Sequence, residues 1–178
     1  MKYEFIPGDE KTLASGRTVK RIRALVAIAA MGVAPGDAGG YIEKPENLPH
    51  DCNAWVSGNA QVSGDAQVYG DAWVSGNAQV SGNAQVSGDA RVYGNAWVYG
   101  DAWVSSQKSI VWFTGVGRDH ATLTAFLDSA GSVVLTRGCF IGTVDEFIAR
   151  SEAQHDESTQ HEYRLLVEVA LSRLGVSA

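Results

Sequence analysis

The residues able to do chemistry are few, and they lie away from the middle of the chain. The histidines are His50, His120, His155 and His161, and the cysteines are Cys52 and Cys139. A group that takes a proton from an attacking amine or hydroxyl must titrate near neutral pH, which suits histidine. His50, beside Asp51 and Cys52 at the insertion, is the one candidate base, and an exposed corner residue accounts for the same triplet. Neither cysteine keeps a metal-binding or redox spacing. A catalytic zinc needs three protein ligands, and Cys52, Cys139 and a histidine would meet only if the ends of the chain did. Asp145 and Glu146 fit the charge preference of a helix N-terminus better than an acid pair. Gly115-Val116-Gly117 is too short for a phosphate loop. No catalytic residue, metal or cofactor is therefore expected.

The 178 residues suffice for one domain, or for a repeat unit with small flanks, and 45% are apolar. Twenty glycines against four prolines suit many tight corners. The net charge of −6 argues against nucleic acid or an anionic membrane as a partner for the whole surface. Five positive charges, Lys11, Arg17, Lys20, Arg21 and Arg23, fall together without an acid, which leaves −11 for the remainder. A solvated strand face explains this run, and steering of an acidic partner is the sharper reading. Met1–Lys20 does not read as a signal peptide. The apolar stretch 24–34 is about half of a bilayer span. The expectation is a cytoplasmic protein with both thiols free.

The middle of the chain is a repeat. From Asn53 it reads NAWVSG, NAQVSG, DAQVYG, DAWVSG, NAQVSG, NAQVSG, DARVYG, NAWVYG, DAWVSS, nine hexapeptides over 54 residues without an insertion. Valine recurs from Val56 to Val104, and alanine sits two positions earlier, from Ala54 to Ala102. Residues two apart share one face of a strand, so alanine and valine point inward and the residue between them outward. Glycine followed by Asn or Asp is corner chemistry. The phase reaches back through Ile42 and Leu48, with a two-residue insertion before Val56 near residues 49–52. It fails forward, because Lys108 takes the small inward position, so regular coils should end near Ser106.

A six-residue period with an aliphatic residue and a small residue four later resembles the left-handed β-helix hexapeptide family. That resemblance implies three hexapeptides per triangular coil, hence about three regular coils and a prism about 15 Å tall. It also implies the left-handed sense and frequent packing as homotrimers. Enzymes of this fold are mostly acyltransferases with a histidine base and a looped-out segment, and their carbonic-anhydrase relatives use three histidine ligands. The repeats here contain no histidine and no loop. They also lack the threonine ranks of ice-binding solenoids.

The flanks read as small structured units. Residues 17–25 predict a strand, and Pro35-Gly36-Asp37 with Gly39-Gly40 turns the chain into the coils. Beyond Ser106, strands are predicted at 110–116, 121–127 and 132–136. Thr143 to Glu146 forms a capping box that opens a helix to about Gln154. A second helix over 158–174 carries an apolar stripe of Tyr163, Leu166, Val167, Ala170, Leu171 and Leu174. The predicted whole is an all-β left-handed parallel β-helix with an N-terminal cap (residues 1–52), a hexapeptide-repeat unit (53–106) and a small C-terminal α+β domain (107–178). The flanking segments Gly16–Leu25, Gly36–Glu43, Asn47-Leu48, Arg137–Phe147 and Glu162–Ala170 also resemble phage- and prophage-associated hexapeptide proteins, often labelled polymer-forming or cytoskeletal. That likeness implies a mobile-element context and no particular chemistry.

With the family's coil of 18 residues, the position between alanine and valine gives three outward ladders: Trp55/Trp73/Arg91, Gln61/Gln79/Trp97 and Gln67/Gln85/Trp103. The position after valine adds Tyr69, Tyr93 and Tyr99. Repeated amide hydrogen bonds are expected along the glutamine ladders. Outward aromatics mark contacts, with the flanks, a sister subunit or a ligand. Trp55, Trp73 and Arg91 form the most specific group. The expected function is a non-enzymatic oligomeric interaction protein of phage or prophage origin. It would bind itself as a homotrimer and bind or sequester a host defence factor or signalling nucleotide; direct nucleic-acid binding and membrane contact are not expected. The alternatives are an acyltransferase-like enzyme with an inter-subunit site using His50 or a flank residue, and a filament or virion part.

Overall fold

The chain begins with two antiparallel strands, β1 (Tyr3–Thr12) and β2 (Thr18–Ala24), in a computed structural model that describes residues 1–176. The predicted strand at 17–25 is β2, whereas β1 was not expected. Its sequence, YEFIPGDEKT, lacks alternation because Pro7-Gly8 breaks it, and the pairing register shifts there. A connection with a short 3₁₀ turn, Ala29–Met31, leads to β3 (Ala38–Ile42), which pairs antiparallel with β2.

Nine two-residue strands follow, one for each hexapeptide. They are β4 (Trp55–Val56), β5 (Gln61–Val62), β6 (Gln67–Val68), β7 (Trp73–Val74), β8 (Gln79–Val80) and β9 (Gln85–Val86), then β10 (Arg91–Val92), β11 (Trp97–Val98) and β12 (Trp103–Val104). They stack in parallel on three faces, in the orders β4-β7-β10, β6-β9-β12 and β3-β5-β8-β11. Trp55 lies beside Trp73 and Trp73 beside Arg91, the 18-residue offset of a three-sided coil. Ile42 pairs with Val62, an offset of 20 residues that absorbs the insertion at 49–52. The result is a β-solenoid of about four turns along its longest face.

Every alanine and valine of the repeat is buried. They form one apolar cluster that continues into Tyr3, Ile22, Ile28, Met31, Ile42 and Leu48 on one side and Phe126 on the other. The corner glycines from Gly58 to Gly100 all have φ between 58° and 74°. They are also in contact along the solenoid: a Cβ on Gly82 would lie 2.8 Å from the amide nitrogen of Gly100. The amide ladders run at the corners, not along the glutamines. Asn59 donates to Asn77 at 3.4 Å and Asn77 to Asn95 at 3.2 Å, and Asn53 and Asn83 donate to Asp71 and Asp101. Gln61 and Gln79 are in register but make no such bond. The short corner side chain cannot swing away from its copy above, whereas the long glutamine can.

After the coils come β13 (Ile110–Val116), β14 (Ala121–Leu127), β15 (Val133–Arg137) and β16 (Phe140–Gly142), an antiparallel sheet in chain order. The first three were expected. The three-residue β16 carried too little pattern to read. Helix α1 (Val144–Gln154) opens on the expected capping box, in which Glu146 N–H donates to Thr143 Oγ1 at 3.3 Å and Thr143 N–H to Glu146 at 2.8 Å. Helix α2 (Glu157–Leu174) buries Tyr163, Val167, Ala170 and Leu174 in a second apolar cluster, with Leu166 and Leu171 half-buried beside them.

Gly82→Ala and Gly100→Ala separate backbone strain from coil contact. Both place a Cβ at positive φ, at about 1–2 kcal/mol, but a Cβ on Gly100 meets only Ile141 Cδ1 at 3.5 Å. Gly82→Ala should therefore lower the urea midpoint further, by about another 1–3 kcal/mol of overpacking. Equal midpoints would show that contact between coils does not constrain the corners.

Candidate functional site

The Trp55/Trp73/Arg91 ladder is uncovered step by step along the solenoid. Trp55, expected to point outward to a contact with the flanks, a sister subunit or a ligand, is only 1% exposed. Gly39 of β3 packs against its ring, so closely that a Cβ there would come within 2.9 Å of Trp55 Cζ2. Trp55 is thus part of the core, because ladder geometry gives a direction and not what covers it. Trp73 is half-buried and its indole N–H donates to Ser57 Oγ at 2.7 Å. The Arg91 guanidinium stands 5.3 Å from the Trp73 ring centre and donates to Met31 Sδ at 3.1 Å.

The other aromatics do not join this group. Trp97 is half-buried, and its backbone is clamped by the C-terminal sheet: its N–H donates to Thr124 Oγ1 at 3.1 Å and its carbonyl accepts from Thr136 Oγ1 at 2.7 Å. Trp103, on a different face, is 47% exposed. Tyr69 donates to Gln85 Oε1 at 2.9 Å, and Tyr99 is exposed beside Ile141. The eight residues therefore divide among three faces and their corners.

Tyr93 is the most exposed of these aromatics, at 54%, and it gains a partner that the repeat could not announce. Trp112 of β13 meets its ring edge-on, with centroids 4.4 Å apart. Between them and the start of the C-terminal unit lies a groove of about 660 Å³. Arg91, Lys108 and Arg173 bring three positive charges to its lining and Asp89 one negative charge. Trp112, Lys108 and Arg173 are distant in sequence and carry no shared motif, so only the packing of β13 and α2 beside the last coil brings them together.

His50 accepts a hydrogen bond at Nδ1 from the backbone N–H of Lys2, 3.2 Å away, and stacks on Tyr3. In the neutral ring that acceptor is the only free nitrogen lone pair, so it is already engaged. Partial burial, then the N-terminal ammonium and Lys2, hold His50 below the ordinary imidazole value. Lys2 itself went unnoticed in the sequence. It is buried, and its ammonium donates to the carbonyls of Ala54 at 2.8 Å and Cys52 at 3.0 Å. Burial lowers its pKa, against the opposing pull of Cys52. Cys52 is half-buried and Cys139 exposed, both free. Among the described residues no group of three His, Cys, Asp or Glu side chains is placed to hold a metal. The basic run is largely paired within the chain, Arg17 with Glu43, Arg21 with Asp9 and Arg23 with Glu4. Lys11 lies 3.8 Å from the Tyr41 ring centre.

This arrangement defines a β-solenoid repeat protein. A family model for the YdcK β-solenoid repeat matches the chain at residues 60–76, 66–82, 84–100 and 90–106, all within the coils. No curated protein matches the chain. No helix among the described residues is long and apolar enough to cross a membrane.

The covered and uncovered tryptophans should respond differently to removal. Trp55→Ala should cost about 3–5 kcal/mol of stability in urea unfolding, and Trp103→Ala no more than about 0.5 kcal/mol. Trp103→Ala should also remove much of the tryptophan emission that acrylamide quenches. Comparable losses of stability from the two would contradict the burial assigned to Trp55.

Proposed function

We propose that this chain is a non-enzymatic interaction protein, a left-handed β-helix closed by its two flanks, that binds an aromatic anion in the groove beside its last coil. The observation that carries this reading is the exposed Tyr93, backed by the half-buried Trp112, set among Arg91, Lys108 and Arg173. Aromatic faces stack on a flat base, at about 1–3 kcal/mol for each base, and arginine and lysine take up phosphate charge. A nucleotide presents both groups, so a small signalling nucleotide is the ligand class proposed. Asp89 on the same wall disfavours a long polyanion and suits a small one. The likeness to phage- and prophage-associated proteins supports sequestration of a host signal as the purpose. Trp103 and Tyr99, exposed on other sides of the prism, are proposed as contacts in a homotrimer, the usual assembly of the hexapeptide family.

Titration with purine mononucleotides and cyclic dinucleotides, followed by tryptophan emission, tests the groove. At least one should give saturable quenching, and Tyr93→Ala and Arg91→Gln should each weaken it about tenfold or more. A flat response across the series, or variants that bind like the parent chain, would sink the groove as a nucleotide site. Light scattering should give about three times the 18.9 kDa chain mass; a monomer would remove the trimer.

A further inference from the structure

Three buried side-chain polar atoms lack a hydrogen-bond partner among the described residues: Arg137 Nε, Ser151 Oγ and the Tyr163 hydroxyl. They come from three different elements, β15, α1 and α2, yet all three residues line one cleft of about 350 Å³. Tyr163 is completely buried and Ser151 is 4% exposed. Buried polar groups are nearly always paired, and each exception asks for a reason. Three exceptions at one place ask for a common one.

The charges around the cleft point the same way. Arg118, Arg137 and Arg150 line it, and Asp119 is the only carboxylate among the lining residues. In a chain of net charge −6 this is a local excess of positive charge. Asp119 pairs with Arg118 at 3.4 Å and Arg137 at 4.0 Å, one carboxylate against three guanidinium groups, so positive charge remains in excess. The Arg137 guanidinium rests 5.1 Å from the Tyr163 ring centre and gives one hydrogen bond, 3.3 Å to the Val116 carbonyl. Most of its donors are therefore uncommitted, in a side chain that is only 12% exposed. The Tyr163 hydroxyl stays protonated, because burial raises its pKa against the opposing effect of Arg137. It is thus a donor, as are the serine hydroxyl and the guanidinium.

We propose that this cleft binds the oxyanion of a small phosphate monoester. Arg137 is the central ligand, the Tyr163 and Ser151 hydroxyls donate from the floor, and Arg118 and Arg150 close over the anion from the rim. The donors converge from the β13–β14 turn, the end of β15 and both helices. A tetrahedral phosphate offers oxygens in all those directions, whereas a planar carboxylate satisfies one arginine fork and leaves the rest unmet. The organic part of the ester would lie against Phe140, whose ring is 5.7 Å from the Arg150 guanidinium. This site is separate from the Tyr93–Trp112 groove and uses none of its residues.

Calorimetric titration of the whole chain tests it, with inorganic phosphate, glycerol 3-phosphate and acetate at constant ionic strength set by chloride. Phosphate should bind saturably at millimolar concentration or below, the monoester at least as tightly, and acetate not at all. Tyr163→Phe should weaken phosphate at least fivefold without lowering the thermal midpoint, since it removes only an unpartnered hydroxyl. Arg118→Gln and Arg137→Gln should weaken or abolish binding, and Lys20→Gln, on the N-terminal strand β2, should leave it unchanged. The proposal is overturned by absence of phosphate binding, by acetate competing equally, or by a Tyr163→Phe protein that binds like the parent. Loss of phosphate binding in Arg91→Gln would move the anion to the other groove and equally overturn this assignment.

Discussion

Outside the two-residue strands, each coil is held to the next by backbone hydrogen bonds that run one way: N–H groups of a coil donate to carbonyls of the coil that follows. Trp55 donates to Ala72 at 3.0 Å and Trp73 to Ala90 at 2.9 Å, and the pattern repeats on the other faces. A stack built this way has chemically different ends. The corner and flanking carbonyls of its first coil, and the matching N–H groups of its last, have no partner within the repeat. Each such group, if buried and unmet, costs about 1–3 kcal/mol. The flanks therefore have to bring donors to one end and acceptors to the other.

The two flanks meet that demand with different residues. At the first coil Tyr41 and Glu43 donate backbone N–H groups to Ala60 and Val62. Where no strand precedes, side chains take over: Asn47 Nδ2 reaches the carbonyls of Gly64 at 3.0 Å and Ala66 at 2.8 Å, and the Lys2 ammonium reaches Cys52 and Ala54. A buried lysine, costly anywhere else, is a sound choice at an edge made of carbonyls. At the last coil the requirement reverses, and Thr124 offers a hydroxyl oxygen to Trp97 N–H. The same contact seats β14 on the solenoid and so fixes where β13 delivers Trp112 to Tyr93. The groove is a consequence of how the open end is satisfied.

This division explains what could be read in advance. The coils were legible because inward Ala and Val and corner Gly recur in strict phase, and each repeat sees almost the same neighbours. The helices were legible through Thr143, Glu146 and the stripe from Tyr163 to Leu174. Lys2 and Asn47 were not, because their roles are set by unmet carbonyls of a coil far away in sequence, and strand β1 was hidden by the break at Pro7-Gly8. For Trp55 the repeat announced an outward contact but not which one: its position faces outward in every coil, and only in the first does β3 lie over it. The groove shares this origin, with Arg91 and Tyr93 visible in the ladder and Trp112 and Arg173 supplied by tertiary packing alone.

Charge shows how the remaining surface is arranged. The chain has fourteen Lys and Arg residues. Arg17, Arg21, Arg23, Lys44 and Arg164 are paired with carboxylates within the chain, and Lys2 is committed to backbone carbonyls. Exposed pairs of this kind add little stability, but they cancel positive potential over the N-terminal strands. Six others, Arg91, Lys108 and Arg173 in one groove and Arg118, Arg137 and Arg150 in one cleft, converge on concave surfaces. Each of those hollows holds a single acidic residue, Asp89 or Asp119. In a chain of net charge −6 these two hollows are local excesses of positive charge, and both proposed anion sites draw on them.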